Sequence, residues 1–187
     1  MASETEIANA ALDKLGEPPL TSFDDDSRAG RLAKRTYADL RDALLREFSW
    51  NFAVARVELA ASTTTPVWGF ANRFPLPSDF LRQLQIYNPN NYAWQLESGA
   101  IVTDLGAPLQ LRYIKRVTDV NAMDMDFREA LSARLAMEWA QPLTQDGGIV
   151  KQMAELYEAK LRTARAADGQ EEVPPTLDTT TFIDARW

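Results

Sequence analysis

The hydrophobic spacing of this chain changes period twice, and that limits its fold more than any other feature. Near both ends apolar residues recur every three or four positions, as on one face of an α-helix. In the middle they alternate every second residue, as on a half-buried strand. Helical ends around a sheet-forming centre place the chain in the α+β class.

The first helix begins at a capping box, Ser3 followed by Glu6, where hydroxyl and carboxylate satisfy each other's backbone N–H groups. Ile7, Ala8, Ala11, Leu12 and Leu15 form its apolar stripe, and Gly16 with Pro18-Pro19 stops it. A second helix is predicted over 27–48, with Ala29, Leu32, Ala33, Tyr37, Leu40, Leu44 and Phe48 on its buried face. Residues 54–59 then alternate, with Ala55, Val57 and Leu59 opposite Arg56 and Glu58. Turn signals separate five further strand candidates near 70–76, 80–87, 92–96, 100–103 and 109–117. Six short strands predict a small antiparallel barrel or sandwich.

Helical spacing returns at Asp126, which with Glu129 repeats the capping-box spacing. Phe127, Leu131, Leu135 and Trp139 form one apolar row and Ala130, Ala133, Met137 and Ala140 another, as expected of a helix packed between others. Pro142 is expected to end it, residues 145–148 to turn, and residues 149–167 to form a fourth helix. From Asp168 onward glycine, acids and Pro174-Pro175 oppose regular structure, yet the chain closes with Phe182, Ile183 and Trp187. A purely solvated tail rarely keeps such residues, so an arm that orders on a neighbouring subunit is expected. The expected fold is thus a four-helix bundle made by 1–49 and 119–168. It carries a small antiparallel β barrel or sandwich insertion at 50–118 and an extended C-terminal arm at 169–187, because neither helix pair alone buries enough surface.

Composition narrows the chemistry. With no cysteine and no histidine the chain has no disulfide framework, Cys/His zinc site, thiol nucleophile or Ser-His-Asp arrangement. It also lacks G-x-G-x-x-G, P-loop and G-x-S-x-G motifs. Asp24-Asp25-Asp26 fits negative charge gathered before a helix N-terminus better than a chelating site. Asp124, Asp126 and Glu129 lack the glycine turn and later glutamate of a calcium loop. No enzyme activity, cofactor or metal is expected, and a carboxylate-dependent hydrolase stands as a second alternative. No apolar run approaches the roughly 18 residues of a membrane span. The acidic opening, residues 1–6, lacks the basic start of a signal peptide, so a soluble protein of a reducing compartment is expected.

Charge is uneven along the chain. Residues 1–26 hold seven acids and one base, residues 27–49 three and six, and residues 171–187 four and one, within a net −7. Acidic ends around a mildly basic middle suit subunits meeting head to side. On the second helix Arg28, Arg31 and Arg35 share a face that fits either carboxylates across a subunit boundary or DNA phosphates. The latter makes a DNA-binding accessory protein the first alternative. Aromatic residues crowd the β segment (Trp50, Phe52, Trp68, Phe70, Phe74, Tyr87, Tyr92 and Trp94); most are expected in the core and some as anchors at an interface.

Several stretches together resemble a family. Ala10-Ala11-Leu12-x-Lys14-Leu15-Gly16-Glu17-Pro18-Pro19 is similar to the opening of phage tail tubular protein A and related head-to-tail adaptor (connector) proteins of short-tailed phages. Also similar to members of that family are Trp50-Asn51-Phe52-Ala53 with Arg56-x-x-Leu59-Ala60, and Phe74-Pro75-Leu76-Pro77-x-Asp79-Phe80-Leu81-Arg82. Two more are Leu111-Arg112-Tyr113-Ile114-x-Arg116-Val117-Thr118-Asp119 and Ala130-Leu131-x-Ala133-Arg134-Leu135-Ala136. The resemblance runs in scattered blocks over about 8–165 and leaves the arm out. It implies a virion structural protein of the tail or neck, assembled in the host cytoplasm as a dodecameric ring. The ring's partners would be the portal protein and a tail or nozzle protein, with double-stranded DNA passing through the channel without specific binding. Helices would pack around the channel and against the portal, with the β segment outward or toward the tail. Arg28, Arg31, Arg35, Phe182, Ile183 and Trp187 are the candidate subunit or portal contacts.

Overall fold

A computed structural model describes residues 3–171, so the arm residues Phe182, Ile183 and Trp187 lie outside the described residues. Helix α1 (Glu4–Leu15) starts at the expected capping box: Ser3 N donates to Glu6 Oε2 at 2.8 Å and Glu6 N to Ser3 Oγ at 3.1 Å. It ends at Gly16, whose left-handed φ of 71° would strain a residue bearing a Cβ. Helix α2 (Arg28–Glu47) is capped by Ser27, whose hydroxyl accepts from Gly30 N at 2.9 Å. After a 3₁₀ turn at Asn51–Ala53 come β1 (Val54–Leu59), β2 (Asn72–Pro75), β3 (Phe80–Ile86), β4 (Trp94–Glu97), β5 (Ala100–Thr103) and β6 (Leu109–Lys115). Helices α3 (Met125–Thr144) and α4 (Gly147–Gln170) complete the order.

All pairings are antiparallel, and the strands divide between two three-stranded sheets, ordered β1-β6-β3 and β2-β5-β4. Neither sheet closes. The expected four-helix bundle with a barrel or sandwich insertion is therefore not what forms, although the α+β class is right. The reason lies in strand alternation. On β6, Leu109, Leu111 and Tyr113 face a small apolar cluster that also holds Phe74 and Ile101 of the second sheet. The next residue, Ile114, points the other way and joins Leu81 in the core of the helices. The first sheet is thus a layer shared by two cores.

Helix α3 is central, as its two apolar rows predict, and packs against α1, α2 and α4. Phe127, Leu131, Leu135 and Trp139 are all buried, and the Trp139 indole N–H donates to Thr36 Oγ1 at 2.9 Å. Three local expectations need correcting. Pro142 lies inside α3, in its last turn; it removes one backbone bond to the residue four before it, and the helix continues for only two residues beyond. Asp124, not Asp126, is the N-cap of α3, and its side chain makes no capping bond. Helix α4 starts at Gly147, where Asp146 caps Gly148 N at 2.7 Å, and runs on to Gln170. Its last turn is held because Asp168, buried, accepts from Asn51 N through Oδ1 at 2.8 Å, while Asn51 Nδ2 donates to the Asp168 carbonyl at 2.8 Å.

This packing can be tested at two positions. A Cβ at Gly30 would lie 2.3 Å from the backbone oxygen of Asp25. Gly30→Ala should therefore lower the urea midpoint: the about 1 kcal/mol gained in helix propensity is outweighed by about 1–3 kcal/mol of overpacking. The Tyr113 hydroxyl donates to Asp79 Oδ1 at 3.1 Å, and burial, reinforced by that carboxylate, pushes it up to about 12. Raised above the roughly 10 of an unfolded tyrosine, it contributes stability that is full below pH 10 and lost between pH 10 and about 12. Tyr113→Phe should remove that part of the alkaline slope in unfolding free energy, measured by urea titration across this range.

Candidate interaction surface

The aromatic residues of the β segment divide into two populations. Trp50 is buried where α2 meets β1, its ring 5.0 Å from Phe127 and 5.2 Å from Phe48, and its indole N–H donates to the Leu44 carbonyl at 3.0 Å. Phe74 is buried between the sheets. In the β1–β2 loop, by contrast, Val67 is 99% and Trp68 87% exposed, and every residue of β4 is exposed.

Register explains the exposure of β4. Leu96 pairs with Ile101, which pairs with Phe74, so Trp94 and Leu96 continue the core-facing row of the second sheet. The first sheet covers that row at Ile101 and Phe74 but not at the outer strand, which overhangs. On the opposite face Arg73, Gln95, Glu97 and Val102 line a groove beneath Trp68 and Phe70. Tyr87 and Tyr92, in the β3–β4 connection, are exposed as well. Both faces of the outer sheet thus present apolar groups, the kind of surface that marks a protein–protein contact. Sequence reasoning had the residue types but not the division, because an aromatic on a strand carries no mark of how far its sheet overhangs.

Arg28, Arg31 and Arg35 do share a face of α2. Arg31 pairs with Asp26, and the neighbouring Lys34 pairs with Asp24 at 2.7 Å, so the linker acids occupy two of the helix's cations. The Lys34 hydrogen bond holds the Asp24 carboxyl below its ordinary value. Arg28 and Arg35 are exposed and make no ion pair among the described residues.

Other charges pair between elements, most of them partly exposed, and were not foreseen. Arg41 is buried and pairs with Glu4 at 3.1 Å and Asp42 at 2.9 Å; Asp42 also receives Arg116 at 2.5 Å. Glu47 accepts from the Tyr157 hydroxyl at 3.2 Å and lies 3.5 Å from Arg165 and 4.0 Å from Arg134, joining α2 to α3 and α4. Burial, then the Glu47 charge, raises the Tyr157 hydroxyl above its usual value.

Among the described residues no three acids converge as a metal site would require, and no helix is long and apolar enough to cross a membrane. The half-buried Lys14 is lowered from its ordinary value by burial, and its ammonium donates to the Ala10 carbonyl at 3.0 Å and Ser132 Oγ at 2.9 Å. That pairing ties α1 to α3. Compared with protein-family models and with curated proteins, the chain finds no match in either.

The two aromatic populations should respond differently to truncation. Trp68→Ala and Trp94→Ala should each change unfolding free energy by less than about 0.5 kcal/mol. Trp50→Ala should cost about 3–5 kcal/mol. Urea unfolding of the three variants reads both outcomes.

Proposed function

We propose that this chain is a head-to-tail adaptor, a virion structural protein whose copies form a ring between portal and tail and continue the DNA channel. The observation that carries the reading is the overhanging outer sheet: Trp68, Trp94 and Leu96 lie exposed on a scaffold whose helices and first sheet share one core. Such a surface works by burial against another protein, not by turnover. The resembling blocks fall at positions that determine the scaffold. They cover the end of α1 with its proline linker, the Trp50-Asn51 junction, the β2–β3 connection, β6, and the middle of α3. They are structural in character, and their order along the chain supports the adaptor reading.

Arg28 and Arg35 are the proposed contacts for carboxylates of a neighbouring subunit or of the portal. DNA binding by the same helix is the weaker reading, since Asp24 and Asp26 of the chain's own linker already occupy Lys34 and Arg31. The test is reconstitution with portal, followed by mass measurement of the assembly. The wild-type chain should add a closed ring, and Trp68→Ala/Trp94→Ala should reduce its formation at least tenfold while leaving the monomer folded. A chain that stays unassembled with portal and is missing from purified particles overturns the proposal.

A further inference from the structure

Beyond the ring reading, and independent of it, we propose that the free chain forms a twofold dimer in which β4 pairs antiparallel with β4 of a second copy. β4 is the outer strand of the second sheet, and among the described residues nothing pairs with its far side. An edge left in this state is a template for another strand, and proteins commonly blunt it with a proline, a bulge or a covering segment. The other edge of the same sheet, β2, ends in Pro75, and its Arg73 carbonyl accepts from Ser62 N at 2.7 Å. β3, at an edge of the first sheet, is interrupted by register shifts. β4 has none of these devices, and it leaves Trp94 and Leu96 exposed on one face.

The occupant follows from the register. Ser98 and Gly99, at φ of 44° and 71°, form a two-residue loop between Glu97 and Ala100. Such a loop closes on a hydrogen-bonded pair, after which bonded and non-bonded pairs alternate. Glu97 and Gln95 therefore bond to β5, whereas the N–H and C=O groups of Trp94 and Leu96 point to the open edge. A second β4 set with Gln95 opposite Gln95 on the twofold axis brings each Trp94 against Leu96 of the other copy. Each of these two pairs exchanges two backbone bonds, which satisfies every outward group of both residues. A slip of two residues would need either Tyr92 or Ser98 in place of one partner. Tyr92 N donates to Asn88 Oδ1 at 2.9 Å and its carbonyl accepts from Asn88 Nδ2 at 2.7 Å, while Ser98 belongs to the turn. A slip of one residue would set the apolar row against Gln95 and Glu97.

Side chains agree with that register. Trp94 and Leu96 of both copies extend the row of Ile101 and Phe74 across the axis, with an aromatic residue facing an aliphatic one at each pair. Glu97 of one copy lies across from position 93 of the other. The two carboxylates are thus about 13 Å apart along the strands, beyond the roughly 8 Å Debye length at physiological salt. A contact confined to one short strand buries well under the roughly 800 Å² per partner of a standard interface. The dimer is accordingly weak, with a dissociation constant between about 1 μM and 1 mM. It shields the edge in concentrated protein and opens when a larger assembly takes Trp94 and Leu96.

The test uses the full chain without portal, so its outcome is separate from that of ring formation. In sedimentation equilibrium the average mass should rise from one copy toward two between about 1 μM and 1 mM. Leu96→Pro keeps the β4–β5 bonds but removes an outward donor from each copy, and should weaken association at least about tenfold. The chain has no cysteine, so single introduced thiols report position. Gln95→Cys places two of them on the axis with Cα atoms about 4.5 Å apart, within disulfide reach. It should cross-link under mild oxidation at least about tenfold faster than Glu97→Cys. A mass that stays at one copy throughout, or climbs past two, overturns the proposal. Equal cross-linking at positions 95 and 97 overturns it as well.

Discussion

The structure depends on the short junction where α2 gives way to β1. Trp50 is buried there against Phe48 and Phe127, and the next residue, Asn51, holds the end of α4 through Asp168. Three helices and the first sheet meet within a few residues. A polar pair at such a place is costly to leave unmade, since removing either partner strands a buried group. The tryptophan contributes area and the asparagine contributes direction. Together they join the start of the first sheet to α2, α3 and α4 at one place.

How much of this was legible depended on how local the determinant is. The Ser3–Glu6 box and the Gly16 stop act within four residues, and the chain states them outright. The two-sided apolar pattern of α3 likewise predicts its central place. Strand positions were readable from alternation, but their partners were not. β1 pairs with β6 across some fifty intervening residues, and nothing in either strand's spacing says so. The barrel expectation failed at that point, because six strands of the same spacing also divide into two open sheets. Asp168 failed differently. An acid beside glycine predicts a helix end, and only a distant asparagine makes it a buried anchor.

The candidate surface shows the same limit. Arg28, Arg31 and Arg35 share a face as their spacing requires, yet only the fold shows that Arg31 meets Asp26 of the linker. Trp50 and Trp68 are the same residue type eighteen positions apart, one sealed and one exposed. The difference between them is where the sheets end, a property of the assembled fold. The proposed adaptor role draws on both levels: blocks that specify the scaffold and an overhang that only the folded chain displays.

The join between the two sheets has a mechanical consequence. Their strands form separate ladders, and across the interface lie apolar side chains such as Leu109, Leu111, Phe74 and Ile101. Besides these side chains, only the short connections 76–79 and 104–108 and the longer 60–71 and 87–93 join the outer sheet to the first. Because such an interior is close-packed, a load taken at the outer rim passes into the first sheet and, through Leu81 and Ile114, on to the helices.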